Sequence, residues 1–416
     1  MSGQTAELRL GTRGSLLAVA QARLVAAALQ RRHPGLTVRL QRIETRGDRD
    51  LATPLAAAST DFFSDTLDEA LLAGDIDAVV HSRKDLPDRR PPAIHCAAIP
   101  LRANPRDVLL CRPDVTARLA AGSSLRIGSS SPRRQRHAAD FLPRHLPQLG
   151  PPPRLSFLPL RGPVDQRLRR LALPSTDADA LDGVILALAG LERLWQDRDG
   201  RAAIAPLLAG LRWMVLPLSA CPTAAGQGAL AIECRRDDPA ATALLSALHD
   251  PGTERLLALE YAAVDAQPPG ERPAFAATAV TTPALGDLLF CRGAQDRGPS
   301  RLEWQRPPRP PQARPWCLRQ DLALERLDCA PPPPGAVFVA HWRAVAPGML
   351  DSQRHRIWTS GTMSWRQLAG RGLWVEGCGD HLGFATLLPT LASPVLQLPP
   401  PAQWSVLTRA GAETSW

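Results

Sequence analysis

The sequence predicts an α/β protein built from two doubly wound lobes, a small α/β third domain and a C-terminal α/β appendage. Three observations lead there. Short strand-like runs alternate with stretches of helical periodicity over roughly the first 240 residues, the pattern of largely parallel sheets with crossover helices. The residues able to do chemistry gather at the C-terminal ends of those runs, where open α/β sheets bind their ligands. The alternation then stops, and a Pro-rich stretch ("RPPRPPQARPW", "APPPPG") precedes a last α/β piece.

A chain of 416 residues has room for several domains of ordinary size. Domain 1 is placed at 1–103 with 215–238, domain 2 at 104–214 and domain 3 at 239–295. A linker at 296–335 and the appendage at 336–416 complete the chain. Within domain 1, "ELRLGTR" is a strand. Ser15 follows as the N-cap of a helix in which Leu16, Val19, Ala20 and Leu24 recur at helical spacing. "LTVRLQRI" alternates as a strand does, and "DTLDEALLAGD" is a helix closed by Gly74. "IDAVVHS" is a buried strand that delivers His81 to Asp85 at its end. "DVLLC", "LRIGSSS", "LSFLPLRG" and "GVILALAG" continue the series. "PAATALLSALHDPGTERLLALEYAAVDA" is helical, and "PAFAATAVTT" and "GDLLFCRG" are strands. The chain ends in a Pro-rich tail.

Hydrophobic residues make up 44% of the chain and charged residues 21%, the balance of a globular protein. The net charge of +9 favours anionic partners. The arginines are scattered and often follow Gly, Ser or Thr, which suits discrete carboxylate or phosphate sites. Aromatics are only 5% of residues and supply few stacking platforms, so a nucleic-acid module is set aside. The N-terminus shows no apolar run with a cleavage site, and no run of apolar residues is long enough to span a bilayer. A cytoplasmic monomer with no membrane contact is expected. The eight cysteines form no CxxC pair, and no metal site is expected.

Of 49 Lys and Arg residues, 48 are Arg; Lys84 is the exception. Lys is a compact point charge with a shiftable pKa, which Arg cannot replace. Chance placement is the competing account. Arg13, Arg133, Arg134, Arg161 and Arg167 lie in or just after strand-end loops, and guanidinium forks bind carboxylates bidentately. Ser129, Ser130 and Ser131 precede the double Arg, where backbone N–H groups at a helix start add to an anion site. Asp85 would stay ionised in a basic cleft, able to stabilise a cation or shuttle a proton. The plainer accounts are solvated or ion-paired arginines, an Asp85 paired with Arg83 or Lys84, and a hydrogen-bonded core His81.

Seven stretches together resemble the porphobilinogen deaminase (hydroxymethylbilane synthase) family over about residues 8–290. They are "LRLGTRGSLLAVAQA", "TRGD", "IDAVVHSRKDLP", "IGSSSPRRQ", "PLRGPVDQRL", "GVILALAGLERL" and "AAGQGALAIECRRDD". The resemblance implies two lobes like those of periplasmic binding proteins. It implies condensation of porphobilinogen into a linear tetrapyrrole with release of ammonia, on a dipyrromethane cofactor held through a Cys thioether. Carried over, Asp85 is the catalytic carboxylate, set against the pyrrole N–H groups and the cationic azafulvene. Lys84 contacts cofactor or substrate carboxylates. Arg13, Arg133, Arg134, Arg161, Arg167 and Arg193 clamp acetate and propionate groups. Ser15, Asp48, Ser129 and Ser131 line the same cleft, and Phe63 stands near its lid.

The chain departs from the family at three places. Where the resemblance places the cofactor Cys, counting from Glu260 gives Glu271. Residues 56–62, "AAASTDF", lack the family's Gly-rich lid and its Lys. Pro163 stands where the family has Asn. Three readings therefore stay open: a synthase that holds its primer without a Cys thioether, a catalytically silent relative that binds porphobilinogen or a linear tetrapyrrole, and an enzyme for a different step on a related pyrrole. A two-lobed anion-binding protein is the rival from another class. The appendage faintly resembles one lobe of uroporphyrinogen III synthase, and one lobe implies no cyclase activity.

Overall fold

The structure is a computed structural model describing residues 6–44, 65–87, 89–283, 285–293, 296, 300–304 and 329–409. The first four strands are β1 (Ala6–Arg13), β2 (Leu36–Ile43), β3 (Ala78–Ser82) and β4 (Ile94–Ala98), with helices α1 (Leu16–Arg32) and α2 (Asp65–Leu72) among them. Next come β5 (Asp107–Cys111), α3 (Val115–Ala120), β6 (Ser124–Gly128), α4 (Pro132–His145), β7 (Arg154–Leu158) and α5 (Val164–Arg169). They are followed by β8 (Gly183–Ala187), α6 (Leu188–Gln196), α7 (Arg198–Leu208), β9 (Arg212–Val215) and β10 (Leu230–Arg235).

These ten strands form two sheets of five, ordered β2-β1-β3-β10-β4 and β7-β6-β8-β5-β9. The two orders are topologically the same. In each, three strands run parallel, and the fourth in line is antiparallel to both its neighbours. That strand is β10 in the first lobe and β5 in the second. The chain passes between lobes twice, through residues 99–106 and 216–229. Two doubly wound lobes are the architecture expected of the first part of the chain.

Local chemistry explains the element ends. Ser15 caps α1, its Oγ accepting from the Ala18 N–H at 3.3 Å, and Ser131 caps α4 with Pro132 in the first turn. The single helical stretch expected after residue 238 is two helices, α8 (Pro239–Ser246) and α9 (Pro251–Asp265). Each opens on an Asp–Pro pair. Asp238 and Asp250 accept from the Ala241 and Thr253 N–H groups, and proline fits the first helical turn. Helix α9 packs on an antiparallel sheet of β11 (Ala276–Thr282), β12 (Gly286–Arg292) and β13 (Arg301–Trp304). Strand β13 lies within the stretch read as linker. Four residues flanked by proline-rich sequence are too few for a periodic signal.

The appendage holds β14 (Gly335–Val339), β15 (His355–Thr359), α10 (Thr362–Ala369), β16 (Val375–Cys378), α11 (Phe384–Leu391) and β17 (Ser405–Leu407). Its strands are all parallel, in the order β16-β15-β14-β17. Strand β17 comes from the Pro-rich tail, again too short to read in advance. The appendage does not hang free. One core runs through lobe 2 and the appendage, joining Leu109, Phe141 and Leu142 to Trp365, Leu368 and Trp374. Both indoles donate across the junction, Trp365 Nε1 to the His145 carbonyl at 2.9 Å and Trp374 Nε1 to the Trp213 carbonyl at 2.7 Å. Among the described residues no helix is long and apolar enough to cross a membrane.

Candidate active site

The strand ends of both lobes face a cleft of about 420 Å³. Strand β1 delivers Arg13, and the loop after it delivers Ser15. The 3-10 turn Arg83–Asp85, directly after β3, delivers Lys84 and Asp85. From lobe 2 come Arg134 on α4, Arg161 to Arg167 after β7, and Gly190 and Arg193 on α6. The second crossover closes the floor with Gln227 and Gly228.

A buried carboxylate organises this floor. Asp107 begins β5 and accepts from Arg133 at 3.0 Å, from Arg134 Nη2 at 2.7 Å and from the Gln227 side-chain amide at 2.8 Å. These donors hold its carboxyl well below the usual range, against the cost of burial. Gln227 then accepts from Lys84 Nζ and from Arg134, both at 3.3 Å. One chain of hydrogen bonds thus links lobe 1, lobe 2 and the second crossover. Gly226 and Gly228 flank Gln227 with φ of 75° and 87°. A Cβ on Gly228 would lie 2.5 Å from the Ala103 carbonyl of the first crossover, so the two crossovers touch through glycine.

The cations of the cleft are crowded and partly buried. Burial pushes Lys84 down to about 8, with Arg134 adding to the fall and Asp85 opposing it. Burial pushes Arg167 down to about 10, helped by Arg134 and Arg161 and opposed by Asp85. Arg193 is held at about 10 by burial, with Glu192 opposing. Like charges packed this way stabilise a bound polyanion, which relieves their repulsion. Asp85 is exposed on the lining. Among the described residues its side chain has no hydrogen bond or ion pair.

The structure brings Asp85, Lys84, Arg13, Ser15, Arg134, Arg161, Arg167 and Arg193 to one cleft. It places Ser129, Ser131 and Arg133 behind it. Arg133 is 4% exposed and donates to Asp107 and the Pro222 carbonyl. Ser129 Oγ accepts from the Ser131 N–H, and Ser131 is spent on capping α4. Asp48, Phe63 and residues 56–62 lie outside the described residues. Pro163 precedes α5 and lines the cleft. Glu271 is exposed on the turn before a 3-10 segment at Arg272–Ala274. Asp107 and Gln227 were not singled out from sequence. The glycines of "AAGQGAL" were the available signal for Gln227. Asp107 had none, because its partners are distant in the chain.

His81 lies beneath the cleft with Asp68 and Glu233, its Nε2 3.6 Å from Glu233. Arg90 donates to both carboxylates, bridging them. Burial pushes His81 down to about 3, with Arg90 and Arg13 contributing. Its largely buried side chain, set beside Arg90, favours the neutral ring.

Residues 8–243 match the family described as "Porphobilinogen deaminase, dipyromethane cofactor binding domain". The chain belongs to the porphobilinogen deaminase family. A porphobilinogen deaminase of Roseiflexus sp. (strain RS-1) is 40% identical over 256 residues, 61% of this chain and 75% of that one. One of Rubrobacter xylanophilus is 39% identical over 288 residues, 69% of this chain and 83% of that one. Among solved structures, a periplasmic substrate-binding protein of an ABC transporter from Coxiella burnetii is 15% identical. It covers 60% of this chain and 94% of that one, at a TM-score of 0.33.

The family's dipyrromethane cofactor can be tested against these residues. A cluster of guanidinium groups with Lys84 fits a small molecule that carries several carboxylates. The thioether does not fit. Among the described residues no cysteine lines the cleft. The buried Cys111 and Cys221 are pushed well above the usual thiol range by burial, and Cys96 rises to about 11. None is an activated nucleophile.

Proposed function

We propose that this cleft condenses porphobilinogen into a linear tetrapyrrole with release of ammonia, the hydroxymethylbilane synthase reaction. The observation that carries the reading is Asp85, an exposed carboxylate with no hydrogen bond or ion pair among the described residues, in a cleft that also gathers Lys84 and five arginines. In the reaction the aminomethyl C–N bond breaks and ammonia leaves with the bonding pair. Electrons from the pyrrole nitrogen stabilise the methylene as an azafulvenium cation. The free α-carbon of a second pyrrole adds to that methylene, and its ring proton is then lost. Asp85 is suited to face the pyrrole N–H and the cation, as the electrostatic partner of a charge that develops only during reaction. Lys84, Arg13, Arg134, Arg161, Arg167 and Arg193 hold the carboxylates, and Ser15 adds a hydroxyl at the rim. Ser129, Ser131 and Arg133 support this wall from behind.

When bound, a dipyrromethane supplies the primer end on which pyrroles are added, and the same cations would hold its carboxylates. Charge-assisted hydrogen bonds of about 1.5–3 kcal/mol each are enough for reversible retention without a thioether. The position corresponding to the family's cofactor Cys is assigned to Glu271. The working division of the chain keeps 1–103 with 215–238, 104–214 and 239–295 as units. A cytoplasmic monomer remains the expectation.

The missing cysteine favours a second reading, a relative that binds porphobilinogen or a linear tetrapyrrole without turnover. Intact-protein mass spectrometry, with a porphobilinogen-consumption assay on the same sample, separates the two. The sample is purified from a host that makes porphobilinogen. Consumption of porphobilinogen supports the synthase, and the mass shows whether its primer is covalent. An unmodified protein with no consumption leaves the binder.

A further inference from the structure

Among the described residues the appendage contributes nothing to the cleft lining, yet it reaches both crossovers through one residue. Asp380 follows β16 and is 3% exposed. Its Oδ2 accepts from Arg106 Nη2 at 2.6 Å, on the first crossover. Its Oδ1 accepts from the Ser219 N–H at 2.9 Å and the Ser219 hydroxyl at 2.6 Å, on the second. Thr390 on α11 adds a second hold on the first crossover. Its Oγ1 accepts from Asn104 at 2.8 Å, and Asn104 in turn accepts from the Arg106 N–H.

The backbone around Asp380 is costly. Asp380 and His381 have φ of 53° and 64°, a left-handed conformation that non-glycine residues rarely adopt. Consecutive residues of this kind persist only where their surroundings fix them. His381 is held by its N–H to the Ser360 carbonyl and by a ring that fills the space a side chain on Gly361 would need. The result aims the Asp380 carboxylate out of the appendage and into the hinge.

Arg106 is the residue before Asp107. Through Arg106, Asp380 fixes the start of β5, and Asp107 fixes Arg134 and Gln227, which in turn holds Lys84. Through Ser219, Asp380 fixes the start of the crossover that carries Gln227. We propose that the appendage is a brace across the hinge. Asp380 is its positioning residue, setting the spacing between the Lys84 wall and the Arg134 wall for a ligand with several carboxylates. This rests on the proposed function only for the identity of that ligand.

The test uses the full chain and three variants. Asp380→Asn keeps the shape and removes the charge. Thr390→Val and Ser219→Ala each loosen one crossover alone. Hydrogen exchange is followed peptide by peptide, and porphobilinogen binding is measured by calorimetry. In Asp380→Asn, exchange is expected to speed up about tenfold or more in both 99–107 and 216–229, while β14 and β15 stay protected. Porphobilinogen affinity falls several-fold. Where turnover is present, KM rises with kcat nearly unchanged, because saturating ligand closes the lobes again. A loss of kcat at constant KM would mean only less folded protein and would overturn the assignment. So would unchanged exchange in either crossover, or exchange that rises throughout the appendage. In the single-arm variants the effect is confined to the crossover that was released; equal effects in both overturn the two-armed brace. If wild-type protein binds no porphobilinogen, the functional reading fails, and the exchange data still decide the brace.

Discussion

Asp85 and Lys84 are neighbours with opposite demands on the cleft. Asp85→Asn removes the charge that would face a developing cation and leaves the guanidinium groups in place. Turnover of porphobilinogen is expected to fall by at least about a hundredfold, the scale of a lost electrostatic partner, with binding within a few-fold of wild type. Parallel loss of binding would assign Asp85 to ligand capture instead. Lys84 makes a pH-dependent prediction. Its folded pKa of about 8 lies below the ordinary lysine value of 10.5. Below pH 8 it is protonated in both states, and the fold carries the full cost of a buried charge. Between pH 8 and 10.5 the unfolded chain binds more protons, so this group's contribution to stability rises with pH. Ligand binding moves the other way and weakens above pH 8 as the cation is lost. Urea unfolding and porphobilinogen titration between about pH 7 and 10 should show the opposed trends. Lys84→Met should flatten both.

At the scale of elements, the information legible in the sequence is local. Ser15, Asp238 and Asp250 announce helix starts within four residues of themselves, so α1 is assignable in advance. The Asp–Pro pairs that split α8 from α9 are plain in the sequence but are outweighed by continuous helical periodicity. Strands β13 and β17 pair through backbone groups over a few residues, and no side-chain pattern can mark so short a run. The cleft arginines are legible because each follows its own strand, but the diversion of Arg133 to Asp107 is not. It depends on which side of α4 meets β5. The glycines beside Gln227 are similar: they stand out, but their cause is the approach of Ala103. Gly228→Ala is expected to cost about 1–3 kcal/mol from the backbone conformation alone, with the clash against the Ala103 carbonyl added. Urea midpoints measured with and without porphobilinogen should show both stability and binding falling. Unchanged values would mean that the crossovers separate freely.

At the scale of the whole molecule, two crossovers are all that connect the sheets of similar order, and the appendage shares a core with lobe 2. Trp365 makes that junction, packing edge-on against Phe141 with ring centroids 5.2 Å apart. Trp365→Ala should lose about 3–5 kcal/mol. Calorimetry should show a single broadened or split transition as the appendage uncouples from lobe 2. A sharp, unshifted transition would mean that the appendage is energetically separate. The appendage itself is legible in the sequence as an α/β unit. Its attachment is not, because a Pro-rich stretch reads the same whether the unit beyond it is tethered or docked.

The interleaving of strands also sets an order of events during synthesis. Lobe 2 has all five strands of its sheet in one unbroken stretch from β5 to β9, complete once residue 215 has emerged, and its core is then finished by the appendage. Lobe 1 does not. Its β4 is bonded to the sheet only through β10, so the first hundred residues must wait, with a gap in their sheet, until the second lobe has been made. Of the two sheets, the one that begins the chain is therefore the later to have all its strands in hand.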